Sequence, residues 1–181
     1  MKDFIYNEMM VHVPLCTHKE PENILIISDD SEKLENEVKK HINIHSKAIK
    51  CSLEEISKLE ENTYDVVVTQ ANTDPLFASQ INRVLKEDGI MVTVHPDLEQ
   101  VEENKALINT LSSYFKIIMP YNLGTGSTAL FASKTYHPTA DIILQRTDML
   151  DNLDYYNCDV HPAAFAMGNN VRKTYLGMLK N

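Results

Sequence analysis

Short apolar runs alternate with longer amphipathic stretches along this chain, which is the pattern of an α/β protein. The clearest run is Tyr64–Thr69, whose centre is three consecutive valines, and β-branched residues favour strands. The apolar run at residues 24–27 follows Pro21 and predicts a buried parallel strand. On the same grounds we predict strands at residues 23–27, 47–51, 64–69, 90–94, 116–119 and 129–132.

Helices are predicted between these strands from apolar positions spaced three and four residues apart. The first helix spans residues 4–15 and is expected to end near Pro14. Ser31 and Ser52 each stand where a helix N-cap is expected, and Asp88-Gly89 is expected to close a third helix. The predicted helices cover residues 4–15, 32–41, 53–59, 76–85 and 98–115.

Alternating strands and helices that end in a hairpin predict an open, mostly parallel α/β sheet with helices on both faces and an antiparallel C-terminal edge. The sequence shows no internal repeat, low-complexity tract or linker, so we expect a single domain over residues 1–181. Ligands of such sheets bind beyond the carboxyl ends of the strands. Candidate site residues are therefore sought at residues 28–31, 51–52, 70–74 and 95–97.

Charge and cysteine content narrow the function classes. The net charge is −9, which argues against binding to nucleic acid phosphates or to an anionic membrane surface. An acidic surface fits either a cationic ligand or simple solubility. No apolar stretch approaches the roughly 20 residues that span a bilayer, and no signal peptide is evident. Cys16, Cys51 and Cys158 lie far apart, which favours a reducing cytoplasm over disulfides or a zinc site.

The turn after the first strand lacks the glycines that a nucleotide site normally needs. Glycine lets the backbone approach a bound nucleotide closely, and the first glycine of this chain is Gly89. Ser28-Asp29-Asp30 stands where that turn would be. The scaffold of a nucleotide site is therefore predicted without its usual means of binding the ligand.

Four segments together resemble the spermidine synthases, or polyamine aminopropyltransferases. Tyr6-Asn7-Glu8-Met9 is similar to the Tyr-(His/Gln)-Glu-Met helix of that family, and Tyr64–Thr69 is similar to its Tyr-Asp-Val-Ile-Ile-Thr strand. Leu85-Lys86-Glu87-Asp88-Gly89 matches a turn that many methyltransferase-like folds share. The most specific segment is residues 155–165, which resembles Tyr-Tyr-Asn-x-x-x-His-x-Ala-Ala-Phe.

The resemblance implies a methyltransferase-like (Rossmann-like) fold and a family reaction, aminopropyl transfer from decarboxylated S-adenosylmethionine to putrescine. It implies no metal, and the apolar faces of the first helix and the tail are consistent with a homo-oligomer. Family members usually carry an N-terminal β-rich domain before the opening motif. Because Met1 lies two residues before Asp3, where the similarity to the opening segment begins, we expect this domain to be missing. One strand-helix unit between residues 27 and 64 is also expected to be missing.

Carrying the family site over leaves several positions altered. The family's general-base Asp aligns with Gln70, and an amide cannot accept a proton from the amine. Asp74 aligns with the carboxylate that holds the diamine, given one inserted residue, although an Asp before Pro75 is equally typical of a turn. No catalytic residue is therefore assigned, and Asp74 is the best remaining candidate.

The other candidate binding residues carry alternative interpretations. Tyr6, Asn7 and Tyr121 are placed near the substrate by the resemblance, although either tyrosine could belong to the core. Asp29 and Asp30 could meet a sulfonium or an amine, or could simply favour the start of the next helix. We therefore expect a spermidine synthase-like protein whose activity is lost or much reduced. The alternatives are an active divergent aminopropyltransferase and a non-enzymatic polyamine-sensing or protein-interaction module.

Overall fold

Across residues 3–181, which the computed structural model describes, six strands form one open sheet. The strands are β1 Asn23–Ile27, β2 His45–Ile49, β3 Tyr64–Thr69, β4 Leu85–Val94, β5 Ile117–Asn122 and β6 Thr128–Ser133. Their order in the sheet is β2-β1-β3-β4-β6-β5. Strands β2, β1, β3 and β4 are parallel, whereas β6 runs antiparallel to both β4 and β5. This architecture confirms the predicted fold class, including the C-terminal antiparallel hairpin.

Helices connect the strands and follow the hairpin. They are α1 Asp3–Thr17, α2 Glu32–Val38, α3 Leu53–Ser57, α4 Pro75–Val84, α5 Val101–Leu111, α6 Leu144–Asp148, α7 Val160–Ala164 and α8 Asn169–Thr174. One strand, β2, lies between β1 and β3 along the chain, and it forms an edge of the sheet. The chain passes from β1 to β2 on one side and then crosses back to β3 on the other side of β1. Ligands of such folds bind at the point where the strand order changes in this way.

Alternate residues of the central strands face two separate apolar cores. Ile24 and Ile26 pack with α1 and the C-terminal segment on one face. Leu25 and Ile27 pack with α4 and α5 on the other face. All six residues of β3 are buried, which is expected of a parallel strand covered on both sides. The sheet thus holds its helices rigidly and fixes where the ends of β1 and β3 lie.

The first helix does not end near Pro14, as the sequence predicted, but continues to Thr17. Proline removes one helical amide donor, which here costs a single bond to the carbonyl of Met10. The helix is buried from Met9 to Thr17, so packing outweighs that loss. Its last turn is also supported by the Thr17 hydroxyl, which donates to the Val13 carbonyl at 2.8 Å.

The prediction that Asp88-Gly89 closes α4 is wrong. That helix ends at Val84, and Leu85 already pairs with Tyr64 at the start of β4. A register shift follows between Tyr64 and the next paired residue of β3. Gly89 fits a tight site, because a Cβ there would lie 3.0 Å from the Lys86 carbonyl oxygen and 3.0 Å from Leu85 Cβ.

Several other predicted boundaries move for local reasons. Helix α2 stops at Val38 instead of residue 41, because His41 turns inward to a buried hydrogen bond. Strand β2 begins two residues earlier than predicted, at His45, and α3 ends at Ser57 instead of residue 59. Helix α5 is shorter at both ends than the predicted 98–115. At its start, the side-chain amide nitrogen of Asn104 donates to three backbone carbonyls of the preceding loop, which keeps that loop out of the helix.

The two predicted serine caps are also wrong in their contacts. Neither Ser31 nor Ser52 offers its side chain to a helix amide. The Ser31 hydroxyl instead donates to a carboxylate oxygen of Glu35 at 2.6 Å. The Ser31 hydroxyl, which was predicted to cap the helix, therefore bonds to Glu35 one turn farther along instead.

Candidate active-site region

The carboxyl ends of β1 and β3 place Ser28 and Gln70 side by side. The Gln70 amide donates to the Ile27 carbonyl at 2.9 Å, and the Ser28 amide donates to the Ile49 carbonyl at 3.0 Å. These bonds extend the ladders one residue past each strand. Because the backbone is fixed on both sides, the side chains that follow are held in defined positions.

The Gln70 side chain is held at both ends by hydroxyl groups. Its Oε1 accepts from the Ser28 hydroxyl at 2.5 Å, and its Nε2 donates to the Tyr6 hydroxyl oxygen at 2.9 Å. Burial raises the pKa of Tyr6, so the phenol stays neutral and keeps its proton. Two sequence-predicted site residues, Tyr6 and Gln70, are thereby brought together, and the side-chain amide of Gln70 has a partner at its oxygen and at its nitrogen.

The turn after β1 is closed by its own side chains. Ser28 is almost completely buried, and its hydroxyl oxygen also accepts from the Asp30 amide at 3.0 Å. The Asp29 carboxylate accepts from the Cys51 amide at 3.2 Å and so ties this turn to the loop after β2. Both aspartates are exposed. Asp29 thus joins two loops, and Ser28 occupies the position where a glycine turn would admit a ligand.

Cys51, at the end of the neighbouring loop, is kept in its thiol form. Burial and the negative charge of Asp29 raise the pKa of the Cys51 thiol. Its sulfur lies 3.8 Å from the Ile27 carbonyl oxygen. A raised thiol pKa lowers the fraction of reactive thiolate.

Asp74 is the N-cap of α4. One oxygen of its carboxylate accepts from the Phe77 amide at 2.8 Å, and Pro75 follows at the first helical position. The approach to this cap is held by a 3.2 Å contact between the Thr73 and Thr93 hydroxyls. The carboxylate is exposed on the same edge of the sheet as Gln70. The capping role of Asp74 therefore uses one of its two carboxylate oxygens.

Of the two remaining candidates, Asn7 lies in α1 and Tyr121 lies in β5 against that helix. Asn7 is buried on that helix, next to Tyr6. Tyr121 is completely buried, and its hydroxyl donates to the Met9 carbonyl at 3.2 Å. Its ring stacks on Phe165 with 5.2 Å between centroids. Tyr121 is therefore placed in the core and is not exposed to a ligand.

Glu8 is a residue whose role the sequence reading missed. Its carboxylate is 1% exposed and accepts the backbone amides of residues 154, 155 and 156 at 2.9, 2.9 and 2.8 Å. The opening motif and the tail motif thus meet through this one side chain. The available signal was an acid inside an otherwise apolar helix, which must find donors when it is buried.

An open cleft of about 480 Å³ lies farther along the same edge of the sheet. It is bordered by Asp97, Asn122 and Thr128 among others, and neither Ser28 nor Gln70 lines it. Potential metal ligands lie elsewhere. Within residues 3–181, the side chains that come close enough to share an ion are His18, Asp65 and Asp88, near the amino ends of the strands. This cluster is separate from the candidate active-site region.

Comparisons with known proteins agree with the resemblance. The model of the spermine/spermidine synthase domain matches residues 3–56. A polyamine aminopropyltransferase of Helicobacter acinonychis is 28% identical over 95% of this chain and 78% of its own length.

Solved structures give the same result. The crystal structure of a spermidine synthase in complex with the transition state analogue AdoDATO has a TM-score of 0.82 at 25% identity, over 95% of this chain and 75% of that chain. Spermidine synthase from Thermotoga maritima shares the fold with a TM-score of 0.83 at 24% identity, over 95% and 74% of the two chains.

No helix in the described part of the chain is long and apolar enough to cross a membrane. The curated relative and the two solved structures each match nearly the whole chain, whereas the family model matches residues 3–56. The altered turn after β1 and the glutamine after β3 distinguish this chain from the family pattern that it resembles. The chain is similar to the spermidine synthases over nearly its whole length and shares their fold.

Proposed function

We propose that this chain keeps the aminopropyltransferase fold but performs the family reaction, aminopropyl transfer from decarboxylated S-adenosylmethionine to putrescine, at a much reduced rate or not at all. The observation that carries this proposal is the Gln70 amide held between Ser28 and Tyr6.

The first argument concerns proton transfer. The attacking amine must lose a proton, and the family resemblance places the acceptor carboxylate at the position of Gln70. An amide has no basic site for that proton, and both ends of this amide already have partners. Loss of a general base commonly costs about 10²–10⁴-fold in rate. A large loss of activity is expected from this change alone.

The second argument concerns the nucleoside. The residues after β1 do not fit a nucleoside in the manner of a glycine-rich turn, because the buried Ser28 side chain occupies the turn. Asp29 is engaged with the Cys51 amide, and β2 is followed by Lys50 and Cys51 without a carboxylate of its own. Weak nucleoside binding would compound the loss of the base.

Two alternatives remain as outcomes of the test. An active divergent enzyme would use Asp74 or Asp29 as the base, each with one oxygen already accepting a backbone amide. A non-enzymatic polyamine-sensing module would use the exposed Asp29, Asp30 and Asp74 carboxylates, which suit a cationic amine.

A direct assay decides between these cases. Purified protein is incubated with putrescine and decarboxylated S-adenosylmethionine, with the Helicobacter acinonychis relative as positive control and spermidine as the measured product. We expect a rate at least about 10²-fold below that of the relative, or no product above the protein-free control. Turnover that Asp74→Asn abolishes, while the exposed control Asp151→Asn retains it, would overturn the proposal.

Calorimetry on the same protein separates sensing from interaction roles. Putrescine or spermidine binding without adenosine binding would favour the sensing module. Binding of adenosine with an affinity like that of the active relative would contradict the argument from the Ser28 turn.

A further inference from the structure

Three metal-ligating side chains converge near the amino ends of the strands, away from the candidate active-site region. His18 Nε2 lies 3.6 Å from an oxygen of Asp88 and 4.0 Å from an oxygen of Asp65. The His18 and Asp65 side chains are 2% and 4% exposed, whereas Asp88 is 42% exposed. Two ligands are therefore buried, and the third leaves an open route from solvent.

His18 Nε2 has no hydrogen-bond partner, although it is shielded from solvent. The other ring nitrogen, Nδ1, accepts from the Glu20 amide at 3.2 Å. A buried polar atom without a partner is costly, and a native structure usually retains one where it serves a purpose. Here the free nitrogen faces the gap between two carboxylates.

Both carboxylates are oriented by outer hydrogen bonds. Asp65 Oδ2 accepts from the amides of Glu22 and Asn23 at 3.0 and 2.8 Å. Its Oδ1 has no backbone donor and lies 2.8 Å from Lys86 Nζ and 4.0 Å from His18 Nε2. The Tyr136 hydroxyl donates to Asp88 at 2.9 Å. Outer contacts of this kind fix the ligands of a metal centre and tune their affinity.

We propose that His18, Asp65 and Asp88 form a binding site for Zn²⁺. One imidazole nitrogen and two carboxylate oxygens are a typical zinc donor set, with a fourth position left for water. Tetrahedral zinc with such ligands separates neighbouring donor atoms by roughly 3.3 Å. The pairs from His18, at 3.6 and 4.0 Å, must close by about 0.3 and 0.7 Å to reach that spacing. All three donor atoms lie within 4.8 Å of one another, so the partly exposed Asp88 side chain makes the larger adjustment.

Two groups must move when the ion binds. The neutral His18 ring carries its proton on Nε2, because Nδ1 accepts from Glu20. That proton must transfer to Nδ1, which breaks the 3.2 Å bond from the Glu20 amide. The Lys86 ammonium, which lies 2.8 Å from Asp65 Oδ1, must withdraw towards solvent. Lys86 is therefore a competitor for the ion.

Two carboxylates face one ammonium and a neutral imidazole, so these four side chains sum to one negative charge. The Arg146 guanidinium, which donates to the His18 carbonyl at 2.6 Å, opposes the binding of a cation. A bound Zn²⁺ would join the segment after α1 to β3 and β4. The site would thus act as a structural tie at the end of the sheet opposite the candidate active-site region.

Titration calorimetry of the full chain with zinc chloride tests the proposal. We expect saturable binding of one ion, with at least a tenfold loss of affinity in Asp88→Asn and no change in the exposed control Asp151→Asn. Asp88→Asn is the main variant because the side chain is partly exposed, and its fold is checked by thermal denaturation.

A second variant predicts a gain and so does not depend on damage to the fold. Lys86→Met removes the competing ammonium and should raise zinc affinity severalfold. In nitrogen-15 NMR the Glu20 amide signal should shift as Zn²⁺ saturates the wild type. Absence of saturable binding below millimolar Zn²⁺, or equal affinity in wild type and Asp88→Asn, overturns the proposal.

Discussion

Mild acid should destabilise this fold through two buried histidines, His41 and His161. His41 donates from Nε2 to His12 Nδ1 at 2.9 Å, and His12 in turn contacts a Glu37 carboxylate oxygen at 3.0 Å. Burial first, then the charges of His12 and Arg146, lower the pKa of His41 to about 3. The neutral imidazole, with one ring proton, is therefore the form of His41 that the folded state accommodates.

His161 is neutral for a similar reason. Its Nδ1 accepts from the Tyr156 hydroxyl at 2.6 Å, and its Nε2 donates to the Pro138 carbonyl at 2.9 Å. Burial lowers the pKa of His161 to about 4. A second proton on this ring would place a charge in a fully buried pocket of the tail.

The size of the effect follows from the two pKa values. A histidine whose folded pKa lies below its ordinary value of about 6.5 contributes its full stability above that value and loses it as the pH falls towards the folded pKa. Between about pH 7.5 and about pH 5, each histidine should lower the free energy of unfolding by about 2 kcal/mol. The combined loss of about 4 kcal/mol is a large part of the ~5–15 kcal/mol that stabilises a typical domain.

Urea denaturation at the two pH values measures this loss. The chain contains no tryptophan, so unfolding is followed by far-ultraviolet circular dichroism. His41→Asn should reduce the pH-dependent loss by about 2 kcal/mol. Replacement of His45, which is exposed on β2, with Asn should leave the loss unchanged. Equal pH dependence in wild type and His41→Asn would refute the reasoning.

Three further substitutions test contacts described above, each measured by urea denaturation. Glu8→Gln should lower the free energy of unfolding by about 2–4 kcal/mol, because a glutamine amide cannot accept three backbone donors as well as a carboxylate does. A change below about 1 kcal/mol, roughly the value of one ordinary hydrogen bond, would contradict this. Asp74→Ala should cost about 1 kcal/mol through loss of the helix cap, whereas Asp74→Ser should restore most of it; equal losses would argue against a capping role. Gly124→Ala should cost more than Gly126→Ala, since both have positive φ but only the former places a Cβ 2.4 Å from the Tyr155 hydroxyl oxygen.

The strands were the most predictable part of the fold. The three valines of β3 fix its extent, because β-branched residues in a row suit a buried strand and little else. The hairpin was also predicted, since β5 and β6 flank a turn with two glycines at positive φ. The residue types within these elements determine where they form, so they can be predicted directly from the sequence.

Helix ends were less predictable, because distant partners decide them. His41 leaves α2 to reach His12, and Pro14 stays inside α1 because the helix is packed on nearly every side. The same limit applied to the candidate site. Gln70 was identified from its position after β3, but its engagement by Tyr6 depends on a helix 64 residues away in sequence.

The contact made by Glu8 has a consequence for how the chain is built by the ribosome. The carboxylate is synthesised well before the amides that satisfy it, which follow 146 to 148 residues later. Until those amides are in place, the Glu8 carboxylate must either stay in water or be buried against an incomplete sheet without its donors. Contacts of such high sequence separation form late and slow folding. We therefore expect α1 to dock last, after the sheet has assembled and the tail has left the exit tunnel.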